Sequence, residues 1–333
     1  MQCPYCHSKE VKRKGKRKTI EGEKQRFQCK ECGKLFAEGK NRFQKYSQQT
    51  RLEAINHIAL GHTLHQTALW LNKRTERKAS RAAISKWHQL FTQQTGAKNN
   101  CPANPLEQTL VEKTYLHKGL AYRFQLHQPK ARQLCKEFPA LQQYLYRFVQ
   151  GAPNKIFESA ERISQQKMQI FAETKKDFNQ ANRIASYVLK GTEYNNERHS
   201  QIQTTFLLQD ATSIAAEVPV WYWERNLAKG YCGHIDLVQI RNNKVQVLDF
   251  KPNAVKETKA PTQLYLYALA LSFRTGIPLQ KMQCAWFDEK NYYSFEPSTA
   301  RAKEIHKKPG TAYPEENTNQ TSAMTQKQSN KGD

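Results

Sequence analysis

The reading of this chain turns on G-H-I-D-L-V-Q-I (Gly233–Ile240), then K-V-Q-V-L-D-F (Lys244–Phe250) running into Lys251 and Pro252, then Q-L-Y-L-Y (Gln263–Tyr267). Val, Ile and Leu alternate with other residues in the first two segments, and Asn242-Asn243 between them suits a tight turn at positive φ, so the pattern predicts a β-hairpin. With a two-residue loop Arg241 pairs with Lys244, Ile240 with Val245, Val238 with Val247, and Asp236 falls opposite Asp249. Opposed side chains lie about 5 Å apart at Cβ, where like charges are destabilising unless something positive lies between them. A divalent metal meets that need. Period two also puts Lys251 on the face of Asp249, so Asp-x-Lys delivers a carboxylate and an ammonium to one spot. Magnesium prefers carboxylate oxygen and keeps several waters, which suits phosphodiester hydrolysis by a bound water that the lysine orients, or whose developing phosphate charge it meets. Taken alone, an Asp-x-Lys is more often an exposed pair on a solvated strand.

Here it does not stand alone. Gly233-x-x-Asp236, a hydrophobic strand ending in Asp249-x-Lys251, and a following helix with Gln263-x-x-x-Tyr267 together resemble the PD-(D/E)xK nuclease superfamily, in its RecB-type branch. The resemblance implies that Asp236 and Asp249 bind a catalytic Mg²⁺ or Mn²⁺, that Lys251 is catalytic, and that Gln263 and Tyr267 shape the site and contact DNA. Each pattern is weak singly; their order on the expected element types gives the match its specificity. The family often adds one upstream ligand. His199, near the end of a helical run, and Glu217, at the start of an apolar strand, are the two candidates, and each has an ordinary structural reading beside the functional one.

Composition points to the partner. The chain has 333 residues and a net charge of +24, with 53 Lys and Arg against 29 Asp and Glu. Self-repulsion on that scale suits a polyanionic partner, so DNA leads, and no long apolar run supports a membrane. The start M-Q-C-P-Y-C is not a signal peptide, and the cysteine pattern fits a reducing, cytoplasmic setting.

Cys3-x-x-Cys6 and Cys29-x-x-Cys32 are two knuckles spaced for a structural, tetrahedral Zn²⁺, with a hairpin expected between them. That hairpin carries Lys12, Arg13, Lys14, Lys16, Arg17 and Lys18, then Arg26. A one-sign run on a rigid hairpin reads as phosphate contact. Helices follow at Gln48–Leu60, His65–Leu71 and from a Ser80 cap through Phe91. A zinc ribbon followed by a helix-turn-helix is similar to the amino-terminal part of certain insertion-sequence transposases, which implies Arg81, Ser85 and Lys86 near bases. The stretch before the third helix is long for such a turn, and an ordinary three-helix bundle remains open.

The expected organisation is multidomain: a zinc ribbon at 1–46, a helix-turn-helix-like helical domain at 47–95, a linker at 96–107, a mainly helical middle region at 108–179 with a short strand around Leu120–Leu126, an α/β restriction-endonuclease-like domain at 180–298, and a disordered tail at 299–333. Cys101, Cys135, Cys232 and Cys284 lack the grouping of an iron–sulfur cluster, and no phosphate-loop motif is present. The function expected is a metal-dependent DNA nuclease with its own DNA-binding module. The alternatives are a partner-dependent cutting subunit of a transposase, repair or defence complex, and a non-enzymatic DNA-binding regulator.

Overall fold

The computed structural model describes residues 2–3, 8–19, 22–37, 46–75, 78–97, 108–151, 154–166, 168–192, 197–224 and 229–302. The 299–333 tail, apart from its first residues, and the linker from residue 98 lie outside them, as does Cys6. Near the amino terminus β1 (Val11–Thr19), β2 (Gly22–Cys29) and β3 (Leu35–Ala37) form an antiparallel sheet in that order. The β1–β2 register shifts between Arg13 and Lys16, where Gly15 has φ +71. That conformation costs glycine little, so the strand bulges there. The small core under this sheet is Cys3, Phe27, Cys29 and Phe36.

Three helices come next, α1 (Gln48–Ala59), α2 (Leu64–Arg74) and α3 (Arg81–Thr95). Ser47, Thr63 and Ser80 cap them by accepting from the backbone N–H of Thr50, Gln66 and Ala83, which satisfies donors the first turn cannot. The helices fall where the sequence places them, but they have no core of their own. Their buried residues join those of two later helices: Phe91 meets Tyr187 edge-on at 4.8 Å, and Gln209 Nε2 donates to the Ile55 carbonyl at 3.1 Å.

The chain continues as β4 (Leu110–His117), β5 (Leu120–His127), α4 (Gln128–Leu134), α5 (Pro139–Gln150), α6 (Asn154–Ser159), β6 (Glu161–Arg162), β7 (Ile170–Phe171), β8 (Lys175–Asp177), α7 (Gln180–Leu189) and α8 (Arg198–Gln209). It then forms β9 (Ser213–Glu224), β10 (Lys229–Arg241), β11 (Lys244–Phe250), α9 (Ala260–Thr275), β12 (Met282–Phe287), β13 (Tyr292–Phe295) and β14 (Arg301–Ala302). One large mixed sheet has the order β4-β5-β9-β10-β11-β12-β13-β8, with β6 parallel to β10 on the side away from β9. Only β11 and β12 among the sheet's main path run parallel, and α9 is the crossover between them. Period two sorts β11: Val245 and Val247 pack with α5 and α9 on one side, Leu248 and Phe250 with α1–α3, α7 and α8 on the other.

Two expectations need correction. The region 108–179 is not a mainly helical block with one short strand: β4 and β5 are a full hairpin, and β5 pairs with β9 through Gln125↔Ala216 and Leu126↔Ala215. Its alternation is weak because β4 is the sheet's edge, with Glu112, Lys113 and Thr114 in a row exposed to solvent. At the opposite edge β8 pairs with β13. Segments from this region thus build both edges of the large sheet. His199, expected near the end of a helical run, is the second residue of α8. The polar run Ser200, Gln201, Gln203, Thr204 and Thr205 hides that helix, although Gln203 and Thr205 are buried in it.

Candidate active site

The hairpin holds in the predicted register, with Arg241↔Lys244, Ile240↔Val245 and Val238↔Val247, and both Asn242 and Asn243 sit at positive φ, 52 and 53. Such a turn matches strand twist, which fixes the pairing. The ladder runs to Leu237↔Leu248, and one position on, the Asp236 carboxylate accepts the Phe250 N–H at 2.9 Å. Asp236 and Asp249 therefore face one another, both buried. Lys251 Nζ lies 2.8 Å from Asp249 Oδ2, as the same-face argument requires, and its backbone N–H donates to the Phe287 carbonyl on β12.

Both upstream candidates arrive at this point. His199 Nε2 is 3.1 Å from Asp236 Oδ2 and 3.8 Å from Glu217 Oε1. One turn along α8, Gln203 donates to Glu217 Oε1 at 2.7 Å. Glu217 itself has φ +50 inside β9. Its neighbours Ala216 and Val218 are two apart yet belong to opposite cores, so the left-handed residue is where side-chain alternation switches. A side chain held there costs on the order of 1–3 kcal/mol, a cost typical of residues that a site positions.

On the α9 side, Gln263 Nε2 donates to the Tyr267 hydroxyl at 2.9 Å, one helical turn apart. Tyr267 is buried against Gly233, where an added Cβ would stand 2.5 Å from the ring. That close approach explains the glycine of the Gly-x-x-Asp segment.

Electrostatics ties these groups together. Burial disfavours a charged Asp236, yet the adjacent His199, its hydrogen bond and Lys251 outweigh that and hold the carboxyl at about 2. Burial and then the facing Asp236 charge push Asp249 well above the ordinary carboxylate range. Glu217 is raised to about 7 by burial and Asp236, and His199 to about 9, chiefly by Asp236 against the cost of burial. Lys251 is raised as well, because Asp249 and Asp236 offset its burial. The buried carboxyls of Asp236 and Asp249 and the half-buried Glu217 thus crowd one place, which makes the protons of Asp249, Glu217 and His199 harder to remove. His199, Glu217 and Asp236 offer ligand atoms within 4.8 Å of one another, so a cation fits this donor set in place of those protons.

These residues line a cavity of about 290 Å³. Its wall also holds His117, Tyr122, Arg162 and His234, none of which the motif reading includes. His234 stacks on Tyr122 with ring centroids 3.8 Å apart, and His117 Nδ1 is 3.2 Å from His234 Nε2. No family model, curated protein or solved structure matches this chain.

A second metal-type group lies in the small sheet. Cys3, Cys29 and Cys32 bring their sulfurs within 4.8 Å of one another, with Cys3 Sγ and Cys32 Sγ 3.6 Å apart. Tetrahedral zinc with bonds of about 2.3 Å needs sulfurs roughly 3.8 Å apart, so the three thiols could hold a metal ion and are compatible with zinc. Cys6, the expected fourth ligand, lies outside the described residues. Lys12, Arg13, Lys14, Lys16, Arg17 and Lys18 on β1 and Arg26 on β2 are exposed, and so are Arg81 and Lys86 on α3, with Ser85 half-buried. Among the described residues no helix is long and apolar enough to cross a membrane.

Proposed function

We propose that this protein is a metal-dependent DNA nuclease of the PD-(D/E)xK kind. The observation that carries the reading is the convergence of Asp236, Asp249, Lys251, His199 and Glu217 in one cavity, from four separate elements, with Gln263 and Tyr267 behind them. Asp236 and Asp249, with His199 and Glu217 beside them, would hold Mg²⁺ or Mn²⁺. Such an ion, when bound, supplies an activated water and neutralises charge on the scissile phosphate.

The chain's own groups do the rest. Asp249 fixes the Lys251 ammonium at the cavity wall, where it can donate to a phosphate oxygen or to the attacking water. Lys251 supplies positive charge that keeps Asp236 ionised as a ligand, and His199, once it gives up its proton, offers Nε2 3.1 Å from the same carboxylate. Gln263 holds the Tyr267 hydroxyl, and Tyr267 fills the space over Gly233 that shapes the floor of the site. DNA as the substrate is supported by the net charge of +24 and by the exposed cations of β1, which a zinc-held sheet would present as a rigid phosphate-binding face.

The test is incubation of the purified protein with end-labelled DNA in Mg²⁺ or Mn²⁺. The reading expects metal-dependent shortening of the label that a chelator stops. DNA bound but uncut by zinc-loaded, folded protein in both metals would instead favour a DNA-binding protein without this activity.

A further inference from the structure

Beside the catalytic cavity lies a second one of about 340 Å³, and Ser164 and Gln263 line both. The two differ in chemistry. The first is lined by carboxylates, imidazoles, Lys251 and Arg162. The second is lined by amides and hydroxyls, among them Gln165, Gln169, Gln263 and Thr258, with the Met168 thioether, and among the described residues its only ionisable group is Lys259. Gln166 is already committed to Glu161 and the Arg162 carbonyl, and Thr262 to the Ile170 N–H. Gln165 and Gln169 make no side-chain hydrogen bond among the described residues, and Met168 is 39% exposed.

Neutral amides and hydroxyls outnumber the one described cation, and a cavity without carboxylates is a poor cation site. Paired donor and acceptor atoms on glutamine amides match the edge of a nucleobase, and an exposed thioether matches its face. The volume is at the low end of small-molecule pockets, roughly 300–1,000 Å³, and has room for a nucleobase. Because the cavities share Ser164 and Gln263, a strand whose scissile phosphate met Asp236 and Asp249 would have its neighbouring base within reach of this second cavity. A base inside a duplex is paired and stacked and cannot enter without being pulled out.

We propose that the cavity between Gln165, Met168, Gln169 and Gln263 is a nucleobase pocket for the nucleotide flanking the scissile phosphate, so that the site takes a single or locally unpaired DNA strand. The inference rests on the nuclease reading of the first cavity.

The probe is a single-stranded oligonucleotide carrying the fluorescent base 2-aminopurine at one position at a time, read on binding to the full-length protein without divalent metal, beside the cleavage pattern with magnesium. The expected result is a fluorescence change confined to one position, which lies next to the cut. It disappears in the Met168→Ala, Gln169→Ala double variant, whose single-strand affinity falls about tenfold while its melting temperature is unchanged. Uniform fluorescence at every position, or full duplex bound and cut as well as single strand, overturns the pocket. Cutting without the position-dependent signal sinks the pocket alone, whereas the signal without cutting sinks the nuclease reading and leaves a base-binding site.

Discussion

Replacing Glu217 with glutamine separates the account from a merely structural carboxylate cluster. The Glu217 side chain is 15% exposed, and its carboxyl is moved from the ordinary 4.5 to about 7 by burial and by Asp236. An acid whose folded pKa lies above its unfolded value holds its proton more tightly when folded. Its contribution to stability is therefore whole below pH 4.5 and is lost as pH rises through about 7. Across that window the loss is roughly 3 kcal/mol in metal-free protein, since each pKa unit is worth about 1.4 kcal/mol. Glu217→Gln keeps the shape and the oxygen that Gln203 donates to, and it cannot ionise. The variant should be more stable than wild type at pH 8 by up to about 3 kcal/mol, reduced by the lost attraction to His199, and close to it at pH 4.5. Urea melts of zinc-loaded, magnesium-free protein at the two pH values measure the difference. Magnesium should then narrow or close that gap, because a ligand at a hundred times its Kd stabilises wild type by about 2.7 kcal/mol and the variant less. Parallel pH profiles, or equal stabilisation of both proteins by magnesium, would refute the reasoning.

Gly233→Ala places a carbon 2.5 Å from the Tyr267 ring, and the buried Tyr267 has little room to yield. The expected cost is about 1–3 kcal/mol in a thermal melt, with a loss of cleavage larger than unfolding accounts for. Cys29→Ser, or removal of zinc by a strong chelator, should open the small sheet, whose core is Cys3, Phe27, Cys29 and Phe36, while the large sheet stays folded. Limited proteolysis should then cut within residues 8–37, and DNA affinity should fall with a shallower salt dependence. His127 is held down at about 3 by burial and by Lys130, and its Nδ1 accepts the Lys130 N–H at the start of α4. A histidine so depressed gives its full stability above its unfolded pKa of 6.5 and loses it as pH falls toward 3, at about 1.4 kcal/mol per pH unit. His127→Asn keeps a cap and cannot charge, so its acid denaturation curve should be flatter by that slope.

The parts of the site legible in the sequence are those set by local rules. The Asn242-Asn243 turn and period two fix the facing of Asp236 and Asp249 and the position of Lys251, and the i, i+4 rule brings Gln263 to Tyr267. The same period puts His234 on the face of Asp236, two residues back, so its presence in the cavity wall follows from the pattern as well. His199 and Glu217 stay open because their arrival depends on tertiary packing, and Glu217 reaches the site through a positive φ that no side-chain pattern announces. His117, Tyr122 and Arg162 come from β4, β5 and β6, more distant in the chain, with no local signal at all. Of the fold, the helices capped by Ser47, Thr63 and Ser80 are readable and the β4–β5 edge hairpin is not, since Glu112, Lys113 and Thr114 are exposed on both faces of the edge strand and erase the alternation that marks a strand. The shared core of α1–α3 with α7 and α8 is equally silent in sequence, because an apolar helix face does not name its partner.

The measurement that tests the central claim most directly is cleavage of linear and circular DNA by wild type, Asp249→Ala and Lys251→Ala in Mg²⁺ and in Mn²⁺, with DNA binding measured on the same samples. The account predicts cutting by wild type only, with all three proteins binding DNA; survival of the circle would mark an enzyme that needs an end. Cutting by either variant at the wild-type rate, or none by a wild type that is folded and bound to DNA, would contradict it.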